Sequence, residues 1–450
     1  MSKKENLVRG LGLKEATALN MIDMVGIGPF ITIPFVIGAM NGPQCILAWV
    51  LGAVLAYMDG FVWAELGAAF PHAGGSYVFL KKLYGEKKWG GVFSFLYIWQ
   101  TSIQAPLVIA SGALGFAQYL TYLIRLNAVQ QKVVALSIIV LLCWLLYRKI
   151  SDIGRISVFM WVVVAGTLLW LIFAGMTHFQ SKLILDFPKN AFDFTPAFFV
   201  GLGMASIKTI YSFLGYYNVC HLGGEIKEPE INIPKSIFIS ISGIAVLYLL
   251  MQISVLGVIP WKEAKESTFI VSTFFEHIYG TGAAKVATIL ILFVALSSLF
   301  SATLGYSRVP YAAALQGDYF RVFARTHPTK HFPHYSLLIL CGTALVFTLF
   351  GRLSEVITAI IVLRILVQFI GQAIGLIVLR YRRKEIYFPY RMWLFPLPAI
   401  VSICIWLFVF LSSGLCFILG ALGAIVLGLS VYLVKAWYEH RFPFEIPVED

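Results

Sequence analysis

Apolar stretches long enough to cross a lipid bilayer recur along the whole chain. Gln44 to Ala69, Ile156 to Met176 and Ile237 to Ile259 are three of them, and about 20 such residues span a hydrocarbon core of ~30 Å as a helix. Lipid offers no partner to backbone N–H and C=O groups, so a spanning segment must be a helix or a strand of a closed barrel. Runs of this length exclude the barrel, whose strands are short and alternate in polarity. Hydrophobic residues make up 59% of the 450 and charged residues only 12%. Soluble domains carry roughly 25% charged residues, so a water-soluble fold could not hide this apolar surface.

The pattern predicts an all-α polytopic membrane protein of about twelve transmembrane helices, with spans near 15–40, 44–69, 89–123, 131–149, 156–178, 197–222, 236–259, 284–306, 335–351, 354–380, 394–412 and 414–436. Lys3, Lys4, Arg9 and Lys14 precede the first run without a signal-peptide core and cleavage site, so that run is expected to stay as a helix. With tails 1–14 and 437–450 in the cytoplasm, the inner segments hold 24 of the 34 Lys and Arg residues, the outer ones 8, and only Lys208 and Arg364 fall inside spans. That bias is the positive-inside pattern of a plasma-membrane protein. The net charge of +12 therefore reflects topology and not a nucleic-acid surface.

Cys45, Cys143, Cys220, Cys341, Cys404 and Cys416 stand singly in or beside apolar runs and read as small buried apolar residues, not disulfides or metal ligands. No Walker, HExxH, GxSxG or Cys/His metal spacing occurs, which points away from an ATP-driven pump or a hydrolase. No cofactor is expected, apart from a coupling proton or sodium ion.

Spans in 15–178 and 197–380 form two sets of five, with two peripheral spans in 394–436. Because five is odd, the second set must enter the membrane from the opposite side, the geometry of a five-plus-five inverted repeat. The first and sixth spans support it, since each is interrupted at similar depth, at Gly26-Ile27-Gly28-Pro29 and at Ser212-Phe213-Leu214-Gly215. Pro29 lacks an amide hydrogen and clashes with the turn before it, while the glycines weaken the helix. Free amides and carbonyls are tolerable at this depth only where they line a cavity: half-helix N-termini suit a carboxylate, free carbonyls an ammonium or cation. A plain proline kink would explain the first break alone, but not the matching second one.

Four stretches resemble signatures of the amino acid-polyamine-organocation (APC) superfamily of transporters, whose fold is LeuT-like. They are Gly26-Ile27-Gly28-Pro29-Phe30; Pro71-His72-Ala73-Gly74-Gly75-Ser76-Tyr77; Tyr211-Ser212-Phe213-Leu214-Gly215 with Glu225-Ile226-Lys227-Glu228-Pro229 and Ile233-Pro234; and Ser307-Arg308-Val309-Pro310-Tyr311 with Gly317. The resemblance covers spans 1 to 10 and implies ten core helices in two inverted repeats, alternating access, and secondary transport of an amino acid or a related amine. It places carboxylate-binding amides on Gly26, Ile27 and Gly28 and ammonium-binding carbonyls on Ile22, Tyr211, Ser212 and Leu214. Phe213 lies within the same break, and Tyr211 stands at the outer gate. Ile103 and Gln104 fall where the family has pocket residues, although a plain interhelical hydrogen bond explains Gln104 as well. Three departures stand out: Ile27 replaces Ser or Thr, Pro29 removes an amide, and Val164 stands where many proton-coupled members carry lysine.

Charged residues at membrane depth are expensive and so are functional candidates: Asp23, Asp59, Lys208 and Arg364. Helical spacing turns Asp23 toward Gly26 and puts Lys208 one turn from Ser212, which suggests a pair, either titrating in transport or static; alternatively Asp23 takes the substrate amine. Arg364 is expected to pair with Asp59 or to face an outer vestibule. Ser297 and Ser298 are candidate sodium ligands, or simply bond their own helix. Glu65, Glu225, Ser76 to Tyr84 and Asp318 to His334 read as structural. The expected function is amino acid transport by symport or exchange. Polyamine transport is the nearest alternative, ahead of a non-transporting receptor and of an enzyme using Asp23 and Asp59; the peripheral spans are a candidate homo-oligomer contact.

Overall fold

The computed structural model describes residues 7–350, 353–382 and 386–444. Lys3 and Lys4, the expected end of the ninth span at 351, Arg383 and Lys384, and the last six residues of the C-terminal tail lie outside the described residues.

The first span is two helices, α1 (Leu13–Met24) and α2 (Gly28–Met40), bent by 43° at their junction. It is followed by α3 (Ile46–Ala69), the short α4 (Ser76–Leu83), and then α5 (Gly90–Leu120), α6 (Ala128–Leu146) and α7 (Ile150–Thr177). A single turn, α8 (Ser181–Ile184), precedes α9 (Pro196–Phe213), which stops at the second break and is followed by α10 (Asn218–His221). Beyond it come α11 (Pro229–Val258), α12 (Trp261–Ala264), α13 (Ile270–Tyr279), α14 (Thr281–Tyr306) and α15 (Arg308–Leu315). The last elements are α16 (His334–Phe350), α17 (Leu353–Arg364), a π-helical turn over Ile365–Ile370, α18 (Gly371–Arg382), α19 (Leu397–Ser412) and α20 (Leu415–Tyr438).

Among the described residues, eight helical spans, or nine with the bent pair, are long and apolar enough to cross a membrane, while α16 and α19 are apolar but shorter. The β-structure found among the described residues consists of two isolated bridges, Leu11 with Ile226 and Ala73 with Leu222.

Local chemistry explains where helices start. Asn127 and Gln130 cap α6 reciprocally, and the Thr195 hydroxyl accepts from the Phe198 amide ahead of Pro196. Two helices begin earlier than hydropathy indicates, α7 at Ile150 and α11 at Pro229 instead of near 156 and 236. Their first turns are polar because they lie at the membrane surface, and Pro229 occupies the first helical position, where a missing amide costs nothing.

The core is largely apolar, but the outer surface is apolar too and polar groups are buried. Val140 and Trp144 of α6, Phe159 and Phe173 of α7, and Leu419 and Val426 of α20 face outward, while Asn20, Gln104, Ser212, Asn218 and Arg364 are buried. Hydrocarbon explains both: exposed apolar groups lose nothing in lipid, and polar groups must find partners inside. Of the cysteines, Cys404 and Cys416 are exposed on the outer helices, so the expectation of small buried residues does not extend to them; all six are free.

The broken helices are central. α2 packs on α9, α1 on α7, α11 and α14, and α3 on both α9 and α11. One end of this core is closed by the buried Glu225–Arg308 pair, bidentate at 2.9 and 2.8 Å, while the Glu225 carbonyl accepts from the amides of Gly10 and Leu11. Asp318 likewise gathers Tyr77, Lys81 and Arg441. Glu65 accepts from the Met392 amide at 2.8 Å and pairs with Arg380 at 3.1 Å. These acids hold chain segments together.

Candidate functional site

The first break leaves donors free. α1 ends with the Val25 amide on the Met21 carbonyl (2.9 Å) and the Gly26 amide on Met24 (3.1 Å), and the next amide to find a backbone carbonyl is that of Ile31, on Ile27 (3.1 Å). The amides of Ile27, Gly28 and Phe30 therefore have no backbone acceptor among the described residues. Pro29 is the second residue of α2 and starts it, instead of lying in an unwound stretch. Its absent amide belongs to the first turn, where no carbonyl would have accepted it.

The second break is made differently. α9 continues through Phe213, and the Leu214 amide still bonds to Ile210 (3.0 Å) and Tyr211 (3.3 Å). Gly215 then takes φ +123°, and a Cβ there would lie 2.8 Å from the Met24 nitrogen and 2.9 Å from the Asp23 carbonyl carbon. Only glycine lets the second break press against the first in this way.

Five further contacts fix the breaks. The buried Tyr248 hydroxyl, on α11, donates to the Met24 carbonyl at 2.7 Å and lies 3.1 Å from the Ser212 carbonyl. From α14, Ser298 donates to the Asp23 carbonyl at 3.2 Å and Ser301 to Leu19 at 2.7 Å. The hydroxyls of Thr32 and Ser212, 3.1 Å apart, tie α2 to α9.

Between the breaks is a cavity of about 70 Å³. Its wall brings together Gly26, Ile27 and Gly28 from the first break, Tyr211, Ser212 and Leu214 from the second, and Asp23, Ser298, Tyr306 and Arg364. The Tyr211 ring lies against Gly28, where a Cβ would come within 2.9 Å of it.

Arg364 is buried at the point where α17 gives way to the π turn. Its Nε donates to Gln368 at 2.5 Å, Nη1 to the Tyr306 hydroxyl at 3.1 Å, and its guanidinium lies 5.2 Å from the rings of both Tyr217 and Phe369. Nη2 is buried without a hydrogen-bond partner among the described residues. A buried guanidinium with a free donor is suited to an anionic oxygen.

Other expected residues lie elsewhere. Ile22 and Phe213 are buried in the packing, Phe213 edge-on to Trp49 and Tyr248, and neither lines the cavity. Ile103 is exposed on α5. Gln104 stands behind the wall and donates to the Tyr306 hydroxyl at 3.2 Å, the interhelical bond that was its plainer reading. Ser297 donates to the Phe293 carbonyl of its own helix at 2.8 Å, and the Ser298 hydroxyl is turned onto Asp23.

Two pairings expected from spacing do not form. The Lys208 ammonium donates to Thr358 of α17 at 3.0 Å, because its long side chain leaves the break along α9, and no Asp23–Lys208 ion pair occurs among the described residues. Asp59 is occupied by Trp63 (2.8 Å), Tyr216 (2.5 Å) and Ser402 (3.2 Å), so it does not meet Arg364. The acid that shares a cavity with Arg364 is Asp23. Tyr248 and Tyr306 were not foreseen; their one sequence signal is a polar ring within, or at the end of, an apolar run.

Among the described residues no cluster of three His, Cys, Asp or Glu side chains could hold a metal ion.

Residues 11–427 match the amino acid permease family. Among similar proteins, the Asc-type amino acid transporter 1 of Mus musculus is 27% identical over 92% of this chain and 78% of its own length. The cystine/glutamate transporter of Homo sapiens is 25% identical over 89% and 78%. The serine/threonine exchanger SteT of Bacillus subtilis (strain 168) is 23% identical over 94% and 97%. These relatives are transporters and not enzymes, and their names do not favour the polyamine reading. With a match across nearly its whole length and two broken helices meeting at a cavity, the chain belongs to the amino acid permease family of the APC superfamily.

Proposed function

We propose that this protein is a secondary transporter that carries a small amino acid across its membrane by alternating access, running as an exchanger. The observation that carries this reading is the chemistry of the cavity wall. An α-amino acid presents a carboxylate and an ammonium a fixed distance apart. Free amides at Ile27 and Gly28 and the free Nη2 of Arg364 are donors for the first, while Asp23 is an acceptor for the second. A polyamine has no carboxylate and would leave the donors unmatched, which costs affinity. The cavity volume of about 70 Å³ favours a short side chain.

On this reading 15–178 and 197–380 are the inverted repeats, and the pairs α1/α2 and α9/α10 move against the remaining core helices. Exchange is supported by three details. Ser297 bonds its own helix, Ser298 is spent on Asp23, and Val164 is a buried apolar residue of α7. Val164 carries no group that titrates, and the protons of both serine hydroxyls are committed to backbone carbonyls.

The test is uptake of labelled serine by purified protein in liposomes. Uptake several-fold faster into vesicles preloaded with unlabelled serine than into empty ones, and unaffected by replacing sodium, supports exchange. Equal uptake in both, or a sodium requirement, contradicts it. Binding without flux would assign the fold to a receptor instead.

A further inference from the structure

A second cavity, of about 600 Å³, shares no lining residue with the first and lies in the groove between α6 and α16. Its walls are apolar over most of their length, with Ile139 and Val140 facing Leu338 and Leu345. One end is basic and aromatic: Trp144, Tyr147, Arg148 and Lys330. Both helices meet that end where the chain leaves the membrane, α6 closing at Leu146 and α16 opening at His334.

The two cations there are held in place but not neutralised. The Arg148 guanidinium lies 4.9 Å from the Trp144 ring, and its Nε is buried with no hydrogen-bond partner among the described residues. Lys330 donates to the Tyr147 carbonyl at 2.7 Å and lies 4.7 Å from the Tyr147 ring, leaving two of its three protons to give. No acidic residue lines the groove among the described residues.

An apolar slot that ends in two unneutralised cations beside interfacial aromatic rings is complementary to an amphiphile with an anionic head. We propose that this groove binds one anionic phospholipid of the surrounding bilayer, its phosphate on Arg148 and Lys330 and an acyl chain along Val140, Leu338 and Leu345. The positive-inside distribution of charge puts the head in the cytoplasmic leaflet, where anionic lipids are attracted to basic residues. This site does not depend on the transport reading.

Gly342 makes the groove testable. It lines the cavity, and no heavy atom lies within 4 Å of a Cβ built there, so Gly342→Phe fills the slot without a clash at its base. The experiment is native mass spectrometry of purified protein equilibrated with equal amounts of phosphatidylglycerol and phosphatidylcholine, with and without millimolar inorganic phosphate. The expected result is one retained phosphatidylglycerol, preferred over phosphatidylcholine and not displaced by phosphate. Arg148→Gln and Lys330→Gln should each lower that preference about five-fold, and Gly342→Phe should abolish retention. Equal retention of both lipids by the unaltered protein, or retention unchanged in Gly342→Phe, overturns the proposal. Displacement by phosphate alone overturns it in favour of a free-anion site.

Discussion

The two breaks meet at one cavity yet are built by different means. The first is made by sequence: Gly26, Gly28 and Pro29 interrupt the helix, and the new helix start exposes the amides of Ile27, Gly28 and Phe30. The second is made by tertiary contact: α9 is intact through Phe213, and one glycine in the left-handed region turns the chain against Asp23 and Met24. The comparison teaches that the first break supplies hydrogen-bond donors and can form locally, whereas the second sets Leu214 and Gly215 in place only while it rests on the first. Tyr248 is the group that senses both, through the carbonyls of Met24 and Ser212.

Five substitutions break or sharpen this contrast. The largest effect is expected from Gly215→Val, which places a branched side chain at φ +123° and against the backbone of Asp23 and Met24. Strain of up to ~3 kcal/mol corresponds to about a 100-fold loss of transport, read by exchange in proteoliposomes. Arg364→Lys keeps the charge but cannot reproduce the planar contacts to Gln368, Tyr306 and a carboxylate. Serine affinity by calorimetry should fall about ten-fold.

Asp23 and Lys208 separate the two breaks most cleanly. Because Lys208 is bonded to Thr358 and not to Asp23, Asp23→Asn should lower uptake about ten-fold. Lys208→Met should change it by less than about three-fold, and the double variant should match Asp23→Asn. Rescue in the double variant would restore the pairing that the spacing suggested. Tyr248→Phe removes one shared hydrogen bond, ~1 kcal/mol or about five-fold in exchange rate. An unchanged rate would mean that the bridge between the breaks carries no load.

Much of the scaffold was legible because lipid imposes a simple rule, that a backbone without water must be helical along the full apolar run. Gly26, Gly28 and Pro29 announced the first break because no neighbour is needed to make such a sequence bend. Side-chain direction was not legible. Lys208 stands one turn from Ser212 in both sequence and structure, but four flexible bonds carry its ammonium to α17. Phe213 sits inside the break motif but points into the Trp49–Tyr248 cluster, because α9 continues through it before turning. The π turn after Arg364 has no signature in the sequence Ile365–Ile370, and Arg364, at its start, lines the cavity. The starts of α7 and α11 were hidden for a related reason: their polar first turns look like loops to a hydropathy scale.

The central claim is that an amino acid is held between the two breaks, and the most direct measurement is a cryo-EM map of the purified protein with saturating serine. The account predicts ligand density bounded by Gly26 to Gly28, Tyr211 and Leu214, with its carboxylate toward the free amides of α2 or Arg364 and its amine toward Asp23. An empty cavity with serine density elsewhere, or a bound serine whose amine faces Arg364, would contradict it.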